Sequence, residues 1–79
     1  MGETDESVFE HLRSLRTEIA REERIPPYMV FSDKTLVHMC ILNPRTKEEM
    51  LRVNGVGENK YKKYGERFIK ALSEKQPVS

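Results

Sequence analysis

Ile25-Pro26-Pro27-Tyr28-Met29-Val30-Phe31 governs how the rest of the chain can fold. Two consecutive prolines remove two backbone donors and disfavour helical geometry in the residue before each, so a helix arriving from the N-terminal side must stop near Arg24. The run is therefore a stiff connector. Its five apolar or aromatic side chains besides the prolines cannot all enter one core from so short a segment, so at least one is displayed. Tyr28 is the candidate, because its hydroxyl tolerates water while its ring offers a flat apolar face.

Upstream of the connector, Val8, Leu12, Leu15 and Ile19 recur at steps of four, three and four, which is one face of a helix running to about Glu23. Ser7 is placed to cap it, with Glu10 three residues later completing a capping box. The other face carries Arg13, Arg16, Glu18, Arg21, Glu22 and Arg24. Mixed in sign, these charges read as a solvated face able to form helix-spaced pairs such as Glu18 with Arg21. Residues 1–7 are polar and acidic with no apolar run, and read as a flexible tail rather than a signal peptide.

Downstream, Ser32 or Asp33 caps a second helix whose Leu36, Val37, Met39, Cys40, Ile41 and Leu42 surround most of its circumference, so a central position is expected for it. Asn43-Pro44 ends it. Thr46 and Glu49 form a second capping box, opening a short helix from Lys47 to about Arg52 with Met50 and Leu51 turned inward. In Val53-Asn54-Gly55-Val56-Gly57, the glycines permit positive φ and close backbone approach while Val56 can plug the core. A last helical stretch, running to about Lys75, opens with Glu58 in its first turn, where a carboxylate suits the helix dipole. Tyr61, Tyr64, Phe68, Ile69 and Leu72 share one face of it. Gly65 interrupts the pattern, and glycine costs about 1 kcal/mol in a helix interior relative to alanine, so a kink or a division into two helices is expected there. Residues 76–79 read as a frayed end. No alternating strand pattern of useful length occurs, and the fold class is all-α.

A chain of 79 residues is one domain, and at this size it buries only about 60% of the surface its unfolded form exposes, which leaves no room for an enclosed active site. With 37% hydrophobic and 34% charged residues it belongs with globular chains built of short amphipathic helices. No run of about 18 apolar residues is present, so no membrane partner is expected. Cys40 has no second cysteine to pair with, which excludes a disulfide within the chain and fits a reducing, cytoplasmic setting. His11, His38 and Cys40 lack the spacing of metal-ligand sets, and His38 reads as a partly buried structural residue. Paired acids, a nucleophile with its base and a phosphate-cradling loop are all missing. No catalytic residue, cofactor or metal is therefore assigned.

What remains is recognition. The net charge is only +1, yet residues 1–24 carry seven acids against four arginines while residues 45–70 carry eight bases against four acids. The basic half includes Lys60, Lys62, Lys63, Arg67 and Lys70 on one polar face. A displayed tyrosine with cations nearby has the two parts needed for single-stranded nucleic acid, an aromatic face for a base and charge for phosphates. Met50 to Tyr64 also resembles a helix-hairpin-helix, in which a Gly-apolar-Gly turn presents amides to a phosphate. The competing reading is that both glycines merely allow close packing.

Three passages carry a resemblance to a known family. Leu12-Arg13-Ser14-Leu15-Arg16 leading to Ile19-Ala20, then Ile25 to Asp33, and then Val53 to Gly57 together resemble the HRDC domain found C-terminal in RecQ-type DNA helicases and in RNase D, most closely that of bacterial RecQ. The resemblance covers residues 8–75. It implies a bundle of about five helices with a short 3₁₀ turn at the connector, and a non-catalytic, monomeric accessory module in the cytoplasm, at the nucleoid of a bacterium. The implied partners are single-stranded DNA and the helicase core of the parent chain. By the same resemblance Tyr28 occupies the position associated with single-stranded DNA binding; the basic residues vary among members, and Arg24, Lys34, Lys47 and Arg52 are expected as its neighbours because the connector and the adjacent helix ends should lie close together. Lys60 and Lys63 belong to a second possible basic surface. Some members of the family serve protein contacts instead, which keeps an interdomain module as the alternative, and an RNase D-like parent would make the strand RNA.

Overall fold

The two prolines divide the chain as their chemistry requires. In the computed structural model, which describes residues 5–75, helix α1 (Asp5–Glu23) ends immediately before Arg24. Arg24 adopts a left-handed backbone with φ of 60°. That lets the Ile25 N–H reach back to the Ala20 carbonyl at 3.0 Å, closing the helix in a Schellman-type turn. A non-glycine residue in this conformation costs about 1 kcal/mol or more. Pro26 then enters extended (φ −63°, ψ 146°), and a 3₁₀ turn spans Pro27–Met29, with the Met29 and Val30 N–H groups donating to the Pro26 and Pro27 carbonyls at 3.0 Å each.

The connector splits its apolar side chains between two directions. Val30 and Phe31 are buried, while Tyr28 and Met29 face outward. Phe31 meets Phe68 edge-on, with ring centroids 5.0 Å apart at 87°, and Tyr64 at 5.8 Å and 74°. Such pairs are worth about 0.5–1.5 kcal/mol each beyond their buried area.

Helix α2 (Asp33–Leu42) starts at Ser32, whose hydroxyl accepts from the Thr35 N–H at 3.2 Å, and stops at Asn43, left-handed with φ of 47°. Helix α3 (Lys47–Leu51) is capped by Thr46, which accepts from the Glu49 N–H at 3.1 Å. The Glu49 carboxylate returns to the Arg45 N–H at 2.7 Å, one residue earlier than the expected capping box places it. After the glycine turn come α4 (Glu58–Lys60), a π turn (Tyr61–Gly65) and α5 (Glu66–Lys75), in unbroken succession. Among the described residues there is no strand. Helix α1 packs along both α2 and α5 and, with the connector and the glycine turn, encloses a core centred on Leu12, Ile19, Leu36, Met39, Met50 and Phe68.

Further expectations change at Ser7, Arg16 and α2, and the interruption expected at Gly65 takes the form of a π turn. Of the expected tail 1–7, residues 5–7 belong to helix α1 (Asp5–Glu23), so Ser7 lies inside the helix rather than capping it, while residues 1–4 and the expected frayed end 76–79 lie outside the described residues. Arg16, expected on the solvated face, is only 7% exposed: its Nη1 donates to the Phe31 carbonyl at 3.0 Å and pairs with Asp33 at 2.7 Å. Helix α2 is not central. Its Leu36, Met39 and Cys40 are buried, but Val37, Ile41 and Leu42 are 46%, 69% and 43% exposed, because a helix apolar all round has more apolar surface than its neighbours cover. At Gly65 the chain widens into the π turn. A Cβ at this position would come within 2.2 Å of the Tyr61 ring, so the missing side chain makes room for an aromatic one.

Candidate nucleic-acid interface

A 3₁₀ turn of three residues leaves its last carbonyls without partners inside the turn, and here they are met from outside. The Lys60 ammonium donates to the Met29 carbonyl and, at 2.8 Å, to the Val30 carbonyl, and it lies 5.6 Å from the centre of the Phe31 ring. Arg16 holds the next carbonyl, that of Phe31. Two cations from separate helices thus secure three consecutive carbonyls just after Tyr28. The tyrosine itself projects from the turn, 70% exposed, with Met29 beside it at 49%.

Around this point the structure gathers some of the expected cations and disperses others. Arg24, exposed, immediately precedes the connector, and Lys34, exposed, lies in the first turn of α2 just after it. Lys63 is exposed on the π turn and close enough to Lys60 for its charge to depress that ammonium. Burial is the larger cause of the lowered Lys60 pKa, and the Glu23 carboxylate partly opposes both effects. Lys47 goes elsewhere: it pairs with Glu58 at 3.5 Å and sits 5.6 Å from the centre of the Tyr61 ring. Arg52, exposed, is the C-cap of α3, the helix that Lys47 opens.

Two carboxylates enter the neighbourhood of the connector, and both are occupied: Asp33 pairs with Arg16, and Glu23 accepts from Tyr64. The Tyr64 hydroxyl donates to Glu23 at 2.6 Å. Burial, reinforced by that bond and by the carboxylate's charge, pushes the Tyr64 phenol up to about 12. The bond ties the end of α1 to the π turn.

The glycine turn divides its two glycines between the two readings of the motif. Gly55 has φ of 96°, and a Cβ on it would lie 2.3 Å from the Thr35 hydroxyl, so close packing against α2 demands glycine there. Gly57 faces open space and caps α4 without a side chain. Val56 is buried, as its plugging role requires. The Asn54 N–H donates to His38 Nδ1 at 2.8 Å, which fixes the turn to α2 and gives that histidine a structural task.

Elsewhere, α1 and α5 border an open groove of about 380 Å³ lined by His11, Leu15, Glu18, Arg67, Lys70 and Glu74, with His11 and Glu74 paired across it at 3.1 Å. Among the described residues no group of three or more histidine, cysteine or acidic side chains could hold a metal ion, and no helix is long and apolar enough to cross a membrane. Two features escaped sequence reasoning. Arg16 and Lys60 both look like surface cations in a helical pattern, yet each is committed to backbone carbonyls on a distant part of the chain, and no local signal in the sequence marks either.

Both the fold and the sequence have known counterparts. The model of the HRDC domain matches residues 5–72. The chain is 40% identical over 78 residues to the ATP-dependent DNA helicase RecQ of Pasteurella multocida and 47% identical over 70 residues to that of Bacillus subtilis, covering 99% and 89% of this chain. It spans 12% of the length of each of these relatives. Among solved structures, the D. radiodurans RecQ HRDC domain 3 superposes with a TM-score of 0.87 at 33% identity, over 91% of this chain and 95% of that one.

Proposed function

The chain belongs to the HRDC domain family, and on that basis we propose that it is the accessory module through which a bacterial RecQ-type helicase engages single-stranded DNA. A domain of this family is not itself an enzyme; its contribution is contact. The observation that carries the reading is the Tyr28 ring, 70% exposed on a turn whose following carbonyls are tied down. A base stacked on such a ring gains about 1–3 kcal/mol. Arg24, Lys34 and Lys63 supply charge for the phosphates on either side, while Lys47, paired with Glu58, and Arg52 at the end of α3 stand apart from that surface. With one aromatic platform and few cations, binding is weak, largely indifferent to sequence and sensitive to salt. The parent chain's helicase core and its DNA are the partners, and the setting is the bacterial cytoplasm at the nucleoid.

Anisotropy of a labelled oligo-dT, titrated with the chain at two salt concentrations, tests this. Tyr28→Ala weakens binding by about 1–3 kcal/mol while changing unfolding stability by no more than about 0.5 kcal/mol, since the ring is mostly exposed. Affinity unaffected by the substitution and by salt would remove the reading.

A second reading is favoured by the outer face of α2. Val37, Ile41 and Leu42 form an exposed apolar stripe, and such surface on a small domain fits contact with another domain of a longer chain. Adding the helicase core to labelled domain separates the two: resonances of 37–42 shift in that case, with those of the connector unmoved by oligo-dT.

A further inference from the structure

We propose that Lys60 is a positioning residue for the strand-binding tyrosine: its ammonium fixes the turn that displays Tyr28 and makes no phosphate contact of its own. The inference rests on the reading of Tyr28 as a base platform. A lysine head group has three donors; here two go to the Met29 and Val30 carbonyls, and the centre of the Phe31 ring lies 5.6 Å from the nitrogen. At most one donor is left for a strand. Lys63, three residues on, is exposed and free of those carbonyls, so the neighbouring lysines divide between holding the turn and meeting the phosphate.

The need for such a clamp arises from the shape of the connector. Its 3₁₀ turn is held internally by two backbone hydrogen bonds, from Met29 and Val30, and the left-handed Arg24 and the two prolines fix only its entrance. The exit is where the chain must reverse from displaying Tyr28 and Met29 to burying Val30 and Phe31. Lys60 grips that point of reversal. Burial of the ammonium, which lowers its pKa, agrees with a structural commitment rather than a surface one.

The test uses the 79-residue chain with Lys60→Met, which keeps the aliphatic stem and removes the charge, Lys60→Arg, which keeps donors, and Lys63→Met. Two quantities are read: hydrogen exchange at the Met29 and Val30 amides relative to core amides, and the slope of log affinity for oligo-dT against log salt. Lys60→Met speeds exchange at those two amides about tenfold, as loss of a charged hydrogen bond implies, and weakens binding with the salt slope unchanged. Lys63→Met leaves that exchange as in the wild type and lowers the slope by about 0.7. Lys60→Arg lies between wild type and Lys60→Met in exchange. If Lys60→Met does not fold, Lys60→Gln takes its place with the same expectation. A slope lowered by about 0.7 in the charge-removing variant, with exchange at Met29 and Val30 unaltered, would overturn the assignment and make Lys60 a phosphate ligand. Failure of the wild type to bind oligo-dT would instead fell the DNA reading, and exchange alone would then decide the clamp: acceleration upholds it and no change refutes it.

Discussion

Among single residues, the molecule turns on side chains that do not announce themselves. Arg16 sits among surface-type charges in the sequence, yet its guanidinium is buried, with a single Nη1 meeting both the Phe31 carbonyl and Asp33. Removing it leaves a carbonyl at the core boundary without its partner and an apolar stem's worth of space. Arg16→Ala is expected to cost about 2–3 kcal/mol, measured by urea unfolding. An effect below about 0.5 kcal/mol, the usual range for a surface substitution, would show the contact to be incidental. Tyr64 gives a pH prediction. Its folded-state pKa is raised from 10.0 to about 12, so the folded protein holds the phenolic proton more tightly than the unfolded chain does. The stability it contributes is therefore fully present below pH 10 and is lost as pH rises through about 12. Tyrosinate absorbance should show a component titrating near pH 12 that Tyr64→Phe abolishes, and that variant should lose about 1 kcal/mol at neutral pH. Tyr28, by contrast, was legible, because an aromatic residue crowded between prolines and two core side chains has few other places to go.

Among the elements, the boundaries were the readable part. Proline before a turn, Ser32 and Thr46 as caps and Asn43-Pro44 as a stop each leave a mark in the sequence because the physics that ends a helix is local. The burial of α2 was not readable. Its six apolar residues state that the helix is hydrophobic, but which side is covered depends on where α1 and the glycine turn arrive, and those contacts are distant in sequence. Gly65 shows the same limit from the other side. Propensity alone says that Gly65→Ala should stabilise a helix by about 1 kcal/mol. In the structure a Cβ would stand 2.2, 2.6 and 2.8 Å from three atoms of the Tyr61 ring, so the ring must leave its place beside Lys47. The clash outweighs the propensity, and net destabilisation of about 1–3 kcal/mol on thermal or urea unfolding is expected. Stabilisation would mean that Tyr61 gives way freely.

For the molecule as a whole, a net charge of +1 conceals an arrangement in which the connector gathers cations from both halves of the chain. The sequence displayed the basic bias of the C-terminal half but not its geometry: Lys60 and Lys63 arrive at the connector because α4 follows the glycine turn back toward α1, whereas Lys47 is drawn to Glu58 and Tyr61. Whether the connector is the strand-binding surface is decided by mapping amide shifts of the isotopically labelled chain during titration with oligo-dT. Shifts centred on residues 24–34 and on Lys63, diminishing as salt is raised, are expected. A connector left unshifted, or shifts confined to the outer face of α2, would mean that the strand binds elsewhere or not at all.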